Sequence, residues 1–484
     1  MASAIPTSTE TPVLDPTFLA SFRSGKLTSE QAREFVHRDP LELQFLLLQL
    51  SVAVAAGTIP LGPNTPSGSI APYLKPNANP KKKKGKAGPK PGHDGHYRPI
   101  PTRIDKRQTH QLEVCPCCQG ALQRTDRKRL RIIEDIPDDL HAQTTEHTIH
   151  RDWCPKCKKQ VEPVVPDALP GCQLGHRTTV LSAWLHYGLG TTTSQILEVF
   201  NGHLQMKLSV GGLTEIWHRL AEVLEPWYEQ IHRECLLAGV LHADETGWRT
   251  EGVTSWLWCF ARDDATYYRI HPKRGHEALK VFFTEAFQGV LVSDFWKVYD
   301  IVTQKRQKCW PHLLRDLTAV DEGSESGEDW PEFCKKLWRI YADAVRLEAG
   351  IEELQQESYD SRLLRLKTRI TDLAVRPWTN RHARRLAKRL FDYGDDLLTF
   401  LEIEGVPKSN NKGEREIRPG VMMRKVSFGS YSQQGARTRS ILMSIYRTLK
   451  LRDPDPLKET ESALRTYTLT GKLPALPVKL SSGE

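Results

Sequence analysis

The sequence predicts a multidomain α/β protein, in which a mixed-sheet core with a helical stretch inside it follows a small metal-stapled β module and helical segments. Three observations lead there. At 484 residues the chain is too long for one ordinary core. From Gly239 the hydrophobic pattern turns to strands and then to strand–helix alternation, the mark of a mixed sheet. Ahead of it, four of the ten cysteines form two Cys-x-x-Cys pairs.

In chain order, residues 1–60 form a helical region, with Leu19, Phe22 and Leu27 and then Phe35, Leu41, Leu43 and Phe45–Leu48 as its apolar positions. Residues 61–104 are rich in Pro, Gly, Asn and Lys, a composition that buries no core and reads as a basic linker. Residues 105–165 hold the cysteine pairs around segments patterned as short strands, Lys128–Ile136 and Gln143–Trp153. Residues 166–238 are helical, and two segments, Thr193–Phe200 and Gly212–Leu224, have the spacing of a helix-turn-helix, with Lys207, His218 and Arg219 as groove contacts.

The core spans 239–450, with strands in VLHADET, SWLWCFA, TYYRIH and GVLVSDF and a helix around Glu277–Ala286. Residues 325–404 then read as helical, and 451–484 close the chain.

Hydrophobic residues make up 39% and charged residues 26%, an ordinary aqueous composition, and the formal charge of +9 permits an acidic partner without proving one. The longest apolar run, Phe45–Gly57, is broken by Gln49 and Ser51 and falls short of the roughly 20 residues that span a bilayer. The polar first residues lack a secretory signal, so a cytoplasmic location is expected.

Cys115 with Cys118 and Cys154 with Cys157 offer the four thiolates of a structural zinc. The gap between the pairs exceeds the roughly 15–20 residues usual in a zinc ribbon, which a longer hairpin absorbs. Cys117 leaves a second register open, and the five other cysteines read as small core residues.

Asp244 and Asp294 each follow an apolar run and should sit at strand ends, where side chains face a cleft. Carboxylates converging there are what two-metal phosphoryl transfer requires. A strand-end Asp is more often a turn former or cap, however. Glu414 has its own bland reading as a capping-box residue on a helix capped by Asn411, a helix that Pro419 should end or kink early.

The segments LHADETGW, GVLVSDFWKVYD, KCWPHLLRDL and SNNKGEREIRPGVMMRKVSFGS, in this order, resemble the catalytic blocks of the insertion-sequence 66 family of bacterial transposases. The resemblance runs from about Lys81 to Leu473. It implies a ribonuclease-H-like catalytic domain of the DDE type whose helical insertion, about 325–404, precedes the last catalytic residue. By resemblance Asp244, Asp294 and Glu414 are the triad, holding two Mg2+ or Mn2+ ions that cleave transposon ends and transfer 3′ ends to target DNA. It also implies a zinc segment at the cysteine pairs, a homo-oligomeric synaptic complex, accessory proteins of the element and a nucleoid-associated location. Where the family commonly has Asp before its paired asparagines, this chain has Ser409. The alternative, a zinc-containing DNA-binding or regulatory protein with an inactive core, would have been favoured by loss of a triad carboxylate.

DNA contacts are expected from the tract of Lys81, Lys82, Lys83, Lys84, Lys86 and Lys90, whose six charges would give a salt slope of about five in log units. Arg415, Arg418, Arg424 and Lys425 flank Glu414 and would meet the scissile phosphates. His312 and Arg315 share a helix face and read equally well as phosphate contacts, supports of the carboxylates or a structural polar pair.

Overall fold

A computed structural model describes residues 101, 103–123, 129–134, 136, 140–321, 329–452 and 455–479. The expected N-terminal helices and the lysine tract lie outside them. The chain divides into two compact units, one up to Ile133 and one from Glu134 onward.

In the first unit the described structure centres on a turn at Cys115–Gly120, where Cys115 N donates to Gly120 O at 2.9 Å and Gln119 N to Cys115 O at 2.8 Å. The second unit begins with a short antiparallel hairpin, β1 (Asp152–Cys154) and β2 (Lys159–Val161). Of the strands expected over 128–136 and 143–153, only the Asp152 and Trp153 end of the latter is formed among the described residues. Residues 143–150 are exposed and pair with no other strand, so alternation alone did not suffice.

Next come α1 (His176–Ala183), continued by a π turn over Trp184–Gly188, and α2 (Thr193–Leu197), continued by another over Glu198–His203. Thr192 and Gln195 close a capping box at the start of α2. The long α3 (Val210–Leu236) is capped by Ser209, whose hydroxyl accepts from Gly212 N. The Gly211–Gly212 pair thus opens this helix and breaks nothing. Leu213, Ile216, Trp217, Leu220, Leu224, Trp227 and Ile231 line its buried face.

The sheet has five strands in the order β5–β4–β3–β6–β7. β3 (Val240–Thr250), β4 (Val253–Arg262) and β5 (Ala265–His271) form an antiparallel meander. After α4 (His276–Phe282), β6 (Val290–Ser293) pairs parallel to β3, and β7 (Arg306–Lys308) parallel to β6. β3 is therefore central, and in its first half Leu241, His242 and Ala243 are all buried, so both faces are covered there.

Then α5 (Trp310–Asp321), α6 (Trp330–Ala349), α7 (Gln356–Val375), α8 (Arg381–Tyr393) and the short α9 (Thr399–Glu402) follow without a strand among the described residues. These helices share a core of their own, built on Trp310, Trp330, Phe333, Leu337, Leu386 and Leu390, which reaches β6 through Val290 and Val292. The described part of the stretch expected to be helical, 329–404, is thus helical. The chain returns to the sheet with α10 (Asn411–Ser427), α11 (Gln433–Leu451) and α12 (Pro456–Thr470). The larger core joins α1, α3 and α11 to β3–β5. No helix among the described residues is long and apolar enough to cross a membrane.

Candidate active site

The parallel register sets His242 opposite Val292. Asp244 follows two residues later on one face of β3, near enough for the charge of Asp294 to raise its carboxyl. Asp294 stands one residue past the end of β6, where its Oδ1 accepts from Trp296 N at 2.9 Å and fixes the turn.

His242 points to that face too, and it brings in the third carboxylate. Its Nδ1 lies 2.9 Å from Asn410 Oδ1, while Asn410 Nδ2 donates to Ala243 O at 2.9 Å. The start of α10 is thereby bolted to β3 beside Asp244. Asn410, and not Asn411, is the N-cap, and its side chain caps nothing because it is spent on β3. Glu414 N donates to Asn410 O at 3.0 Å, one turn into the helix. The capping-box reading of Glu414 fails with this, since its carboxylate accepts from Arg315 Nη2 at 2.7 Å and lies 3.6 Å from His312 Nε2.

α10 also runs on through Pro419 to Ser427, against the expected early end. It is held along its length: Gly420 lies so close to Leu257 of β4 that an added Cβ would fall 2.1 Å from Leu257 Cδ2. Beyond its end, Ser430 N donates to Arg249 O at 2.8 Å and Glu251 N to Ser430 O at 3.0 Å. Tertiary contacts at both ends outweigh the proline. Of the two glutamates in this block, Glu416 is fully buried and paired with Arg447, leaving Glu414 as the one that faces the cleft.

Burial first, then the like charges of Glu245, Asp294 and Glu414, push the Asp244 carboxyl well above the ordinary carboxylate range. Such crowding is what a bound dication relieves. Glu245, on the opposite face of β3, is also raised by burial and by Asp294, but Tyr299 and Arg274 hydrogen-bond to it. The Arg274 guanidinium is itself stacked between Trp256 and Trp296, 4.5 and 4.4 Å from the ring centroids.

Cys309, His312 and Glu414 each place one potential ligand atom within 4.8 Å of the others, which makes them the one such set among the described residues; Asp244, Asp294 and Glu414 are not gathered to that distance. The Cys309 thiol is buried, accepts from Asn410 N at 3.2 Å and is pushed up to about 11 by burial. Burial, followed by the Arg315 charge, keeps His312 below its ordinary value.

The other expected contacts divide. Arg415, Arg418 and Lys425 are exposed on α10. Arg424 instead donates to Thr246 Oγ1 at 3.1 Å and Gly247 O at 2.6 Å, clasping β3. His218 bonds Thr438 Oγ1 at 2.7 Å, and Arg219 donates to Pro170 O at 2.5 Å, so both are engaged within the protein.

The cysteine pairs form two similar knuckles. In each, the residue after the second cysteine takes a left-handed backbone, φ 61° at Gln119 and 50° at Lys158. Amide N–H groups point at the first sulfur of each pair, those of Cys117 and Cys118 at Cys115 and that of Cys157 at Cys154, and lower both thiols. Thiolate ligands are favoured by such donors. Cys235, Cys259, Cys309 and Cys334 are buried, as expected of core residues.

His242, Asn410, Glu245 and Lys308 were not singled out from the sequence. The alternation within LHAD marks His242 and Asp244 as sharing a face, but nothing local ties His242 to Asn410.

A profile of the transposase IS66 family matches residues 171–438, more than half of the chain. The match takes in all three carboxylates and neither cysteine pair. Three uncharacterized proteins of Sinorhizobium fredii are similar. The protein y4qI is 28% identical over 249 residues, 44% of this chain and 45% of the relative. The protein y4jD is 24% identical over 396 residues, 72% and 73% of the two chains, and y4hP 20% over 400 residues, 74% and 72%. The chain thus spans under half of the first relative and nearly three quarters of the other two.

Proposed function

The chain belongs to the transposase IS66 family, and from that premise we propose that it cleaves DNA at transposon ends and transfers the freed 3′ ends to target DNA. What supports this reading is that Asp244 lies in β3, Asp294 follows the parallel neighbour β6, the charges of Asp294 and Glu414 both raise Asp244, and α10, which carries Glu414, is tied to β3 through Asn410. The sheet order, a meander whose first strand is central and then flanked by parallel strands, supports a ribonuclease-H-like core.

Three carboxylates make an all-oxygen donor set, which suits Mg2+ or Mn2+, and the unrelieved crowding at Asp244 fits a site built for positive charge. Two such ions held by Asp244, Asp294 and Glu414 would activate the attacking oxygen and stabilise the leaving oxygen of an in-line displacement. The chain's own part is positioning and charge neutralisation. Asn410 and His242 fix the approach of Glu414. Arg315, His312, Arg415, Arg418 and Lys425 border the cleft and would neutralise the scissile phosphates.

Sequence-independent holding falls to Lys81, Lys82, Lys83, Lys84, Lys86 and Lys90, with a salt-dependent affinity. Zinc bound by Cys115, Cys118, Cys154 and Cys157 would be structural. Joining two ends in concert requires a homo-oligomeric synaptic complex, with accessory proteins of the element as further partners.

Labelled DNA carrying the element's terminal repeats, incubated with Mg2+ or Mn2+, tests the reading. Wild type should cut and join strands, and Asp294→Ala and Glu414→Ala should do neither while binding the ends as before. Cutting that persists in both variants refutes the assigned triad. End binding by a folded, zinc-loaded wild type that never cuts, even with the element's other proteins added, identifies a DNA-binding protein with an inactive core.

A further inference from the structure

The turn that presents Asp294 is gripped from behind by groups with no part in the proposed chemistry. Lys308, the last residue of β7, pairs with Ser293 in the parallel register, and its side chain is wholly buried. Its Nζ donates to Asp294 O at 3.0 Å and to Ser293 Oγ at 3.3 Å, and lies 3.0 Å from Asp300 Oδ1. An ammonium has three donors, and here three oxygens face it. A cation removed from water persists only with this kind of satisfaction.

Two of these oxygens belong to the turn at Ser293 and Asp294, and the third leads outward from it. Asp300 accepts from Tyr393 Oη at 2.7 Å, and the Tyr393 ring lies under the ammonium at 4.9 Å. Arg306, two residues before Lys308, donates to Asp300 O at 3.1 Å and to Asp396 Oδ2 at 2.9 Å. Tyr393 and Asp396 are residues of the helical insertion. Phe295, directly after Asp294, packs edge-on to Tyr393 at 5.8 Å and lies beneath Arg389 of α8 at 4.6 Å.

A buried lysine in a strand could serve stability alone. Two features argue for more. The acceptor is the main-chain carbonyl of Asp294 itself, so the contact fixes the point from which that carboxylate departs. The remaining contacts lead to the end of α8, a hundred residues or so away in sequence, and so tie this turn to the helices that follow the sheet.

We propose that Lys308 is a positioning residue for Asp294, and that through Asp300 and Tyr393 it makes the placement of that carboxylate depend on the docked helical insertion. The inference rests on the reading of Asp294 as a metal-binding carboxylate. The insertion then acts as a brace of the active site as well as a surface beside it.

The test is Mn2+ binding to the full chain, followed through the spectrum of the free ion, with the rate of end cleavage as second readout. Mn2+ is a hard ion that cysteine knuckles do not favour. Lys308→Met alone strips Asp300 of its counter-charge and endangers the fold. The decisive variant is therefore Lys308→Met with Asp300→Asn, which leaves net charge unchanged and makes any effect a matter of geometry.

Loss of a supporting contact of this kind weakens metal binding by about ten-fold. That is the expected result for the paired variant, at a thermal midpoint near wild type, with Tyr393→Phe weakened in the same direction. A folded paired variant that binds Mn2+ and cuts like wild type overturns the inference. If that variant does not fold, Tyr393→Phe decides, and unchanged Mn2+ affinity there overturns it. Failure of the underlying reading is recognised separately, because Asp294→Ala would then bind Mn2+ as wild type does, and the inference falls with it.

Discussion

Arg315 donates to Glu414 Oε1 at 2.7 Å, so the carboxylate proposed to complete the metal site is held by a neighbouring cation. The pair is open to solvent, with 59% of the Arg315 side chain exposed and 32% of that of Glu414. Ion pairs of this exposure are worth about 0–1 kcal/mol, weak enough for a dication to displace. Arg315 would then be released toward the scissile phosphate.

Arg315→Gln should separate these two roles. Removing a competitor worth up to about 1 kcal/mol tightens Mn2+ binding in the absence of DNA by up to about five-fold. Loss of a phosphate contact slows cleavage at the same time. Metal titration of the free protein and single-turnover cleavage measure the two effects independently. Weaker metal binding in the variant would mean that Arg315 supports Glu414 and does not compete for it.

Asp244→Asn should stabilise the metal-free protein. The folded carboxyl holds its proton better than the unfolded one, because burial and then Glu245, Asp294 and Glu414 disfavour its charge. In the window between the unfolded pKa, about 4, and the higher folded value, the folded state binds more protons. Stability from this group is therefore fully present at low pH and falls as pH rises through that window. At pH 8 the amide escapes the penalty, and the thermal midpoint should rise, by more at pH 8 than at pH 5. Mg2+ should stabilise wild type more at pH 8 than at pH 5 and leave the variant nearly unmoved. A lower midpoint for Asp244→Asn at pH 8 would contradict the electrostatic account.

The strands of the core were legible because their signals are local. Alternation in VLHADET and a continuous apolar run in GVLVS mark strands whatever surrounds them, and the two aspartates come with those runs. The helical insertion was legible in the same way, from helical patterning without a returning strand. Long-range contacts were not. The clamp of His242 on Asn410 joins residues far apart in sequence, and neither type announces the other. Pro419 misled because propensity describes an isolated helix, whereas Gly420 against Leu257 and Ser430 against Arg249 hold α10 in place. The expected strand at 143–153 failed for the opposite reason, having the pattern and no partner.

The cysteine knuckles predict a single zinc per chain. Metal analysis of purified protein should find it in wild type and lose it in Cys115→Ser, Cys118→Ser, Cys154→Ser and Cys157→Ser, while Cys117→Ser retains it. The amide groups aimed at Cys115 and Cys154 favour the thiolate form that a zinc ligand needs. Zinc that survives Cys154→Ser would place the site elsewhere, and zinc lost in Cys117→Ser would select the other register.

Gly413→Ala should separate folding from function. An added Cβ would lie 2.7 Å from Asn410 Oδ1 and 2.9 Å from Nδ2, so the Asn410 side chain must leave the place from which it holds His242 and Ala243. Against that loss stands the gain of replacing Gly by Ala inside α10, about 1 kcal/mol in a helix interior. Asn410 makes two such hydrogen bonds, worth about 0.5–1.5 kcal/mol each, so about 0–2 kcal/mol of net destabilisation is left and the thermal midpoint should fall modestly. The position of Glu414, fixed through the same asparagine, is not compensated by helix propensity. End cleavage should therefore fall ten-fold or more in a protein that is still folded at the assay temperature, since misplacement by about 1 Å can cost about a hundred-fold in rate. Full activity in this variant would mean that Asn410 holds α10 for stability alone and that Glu414 is placed by other contacts.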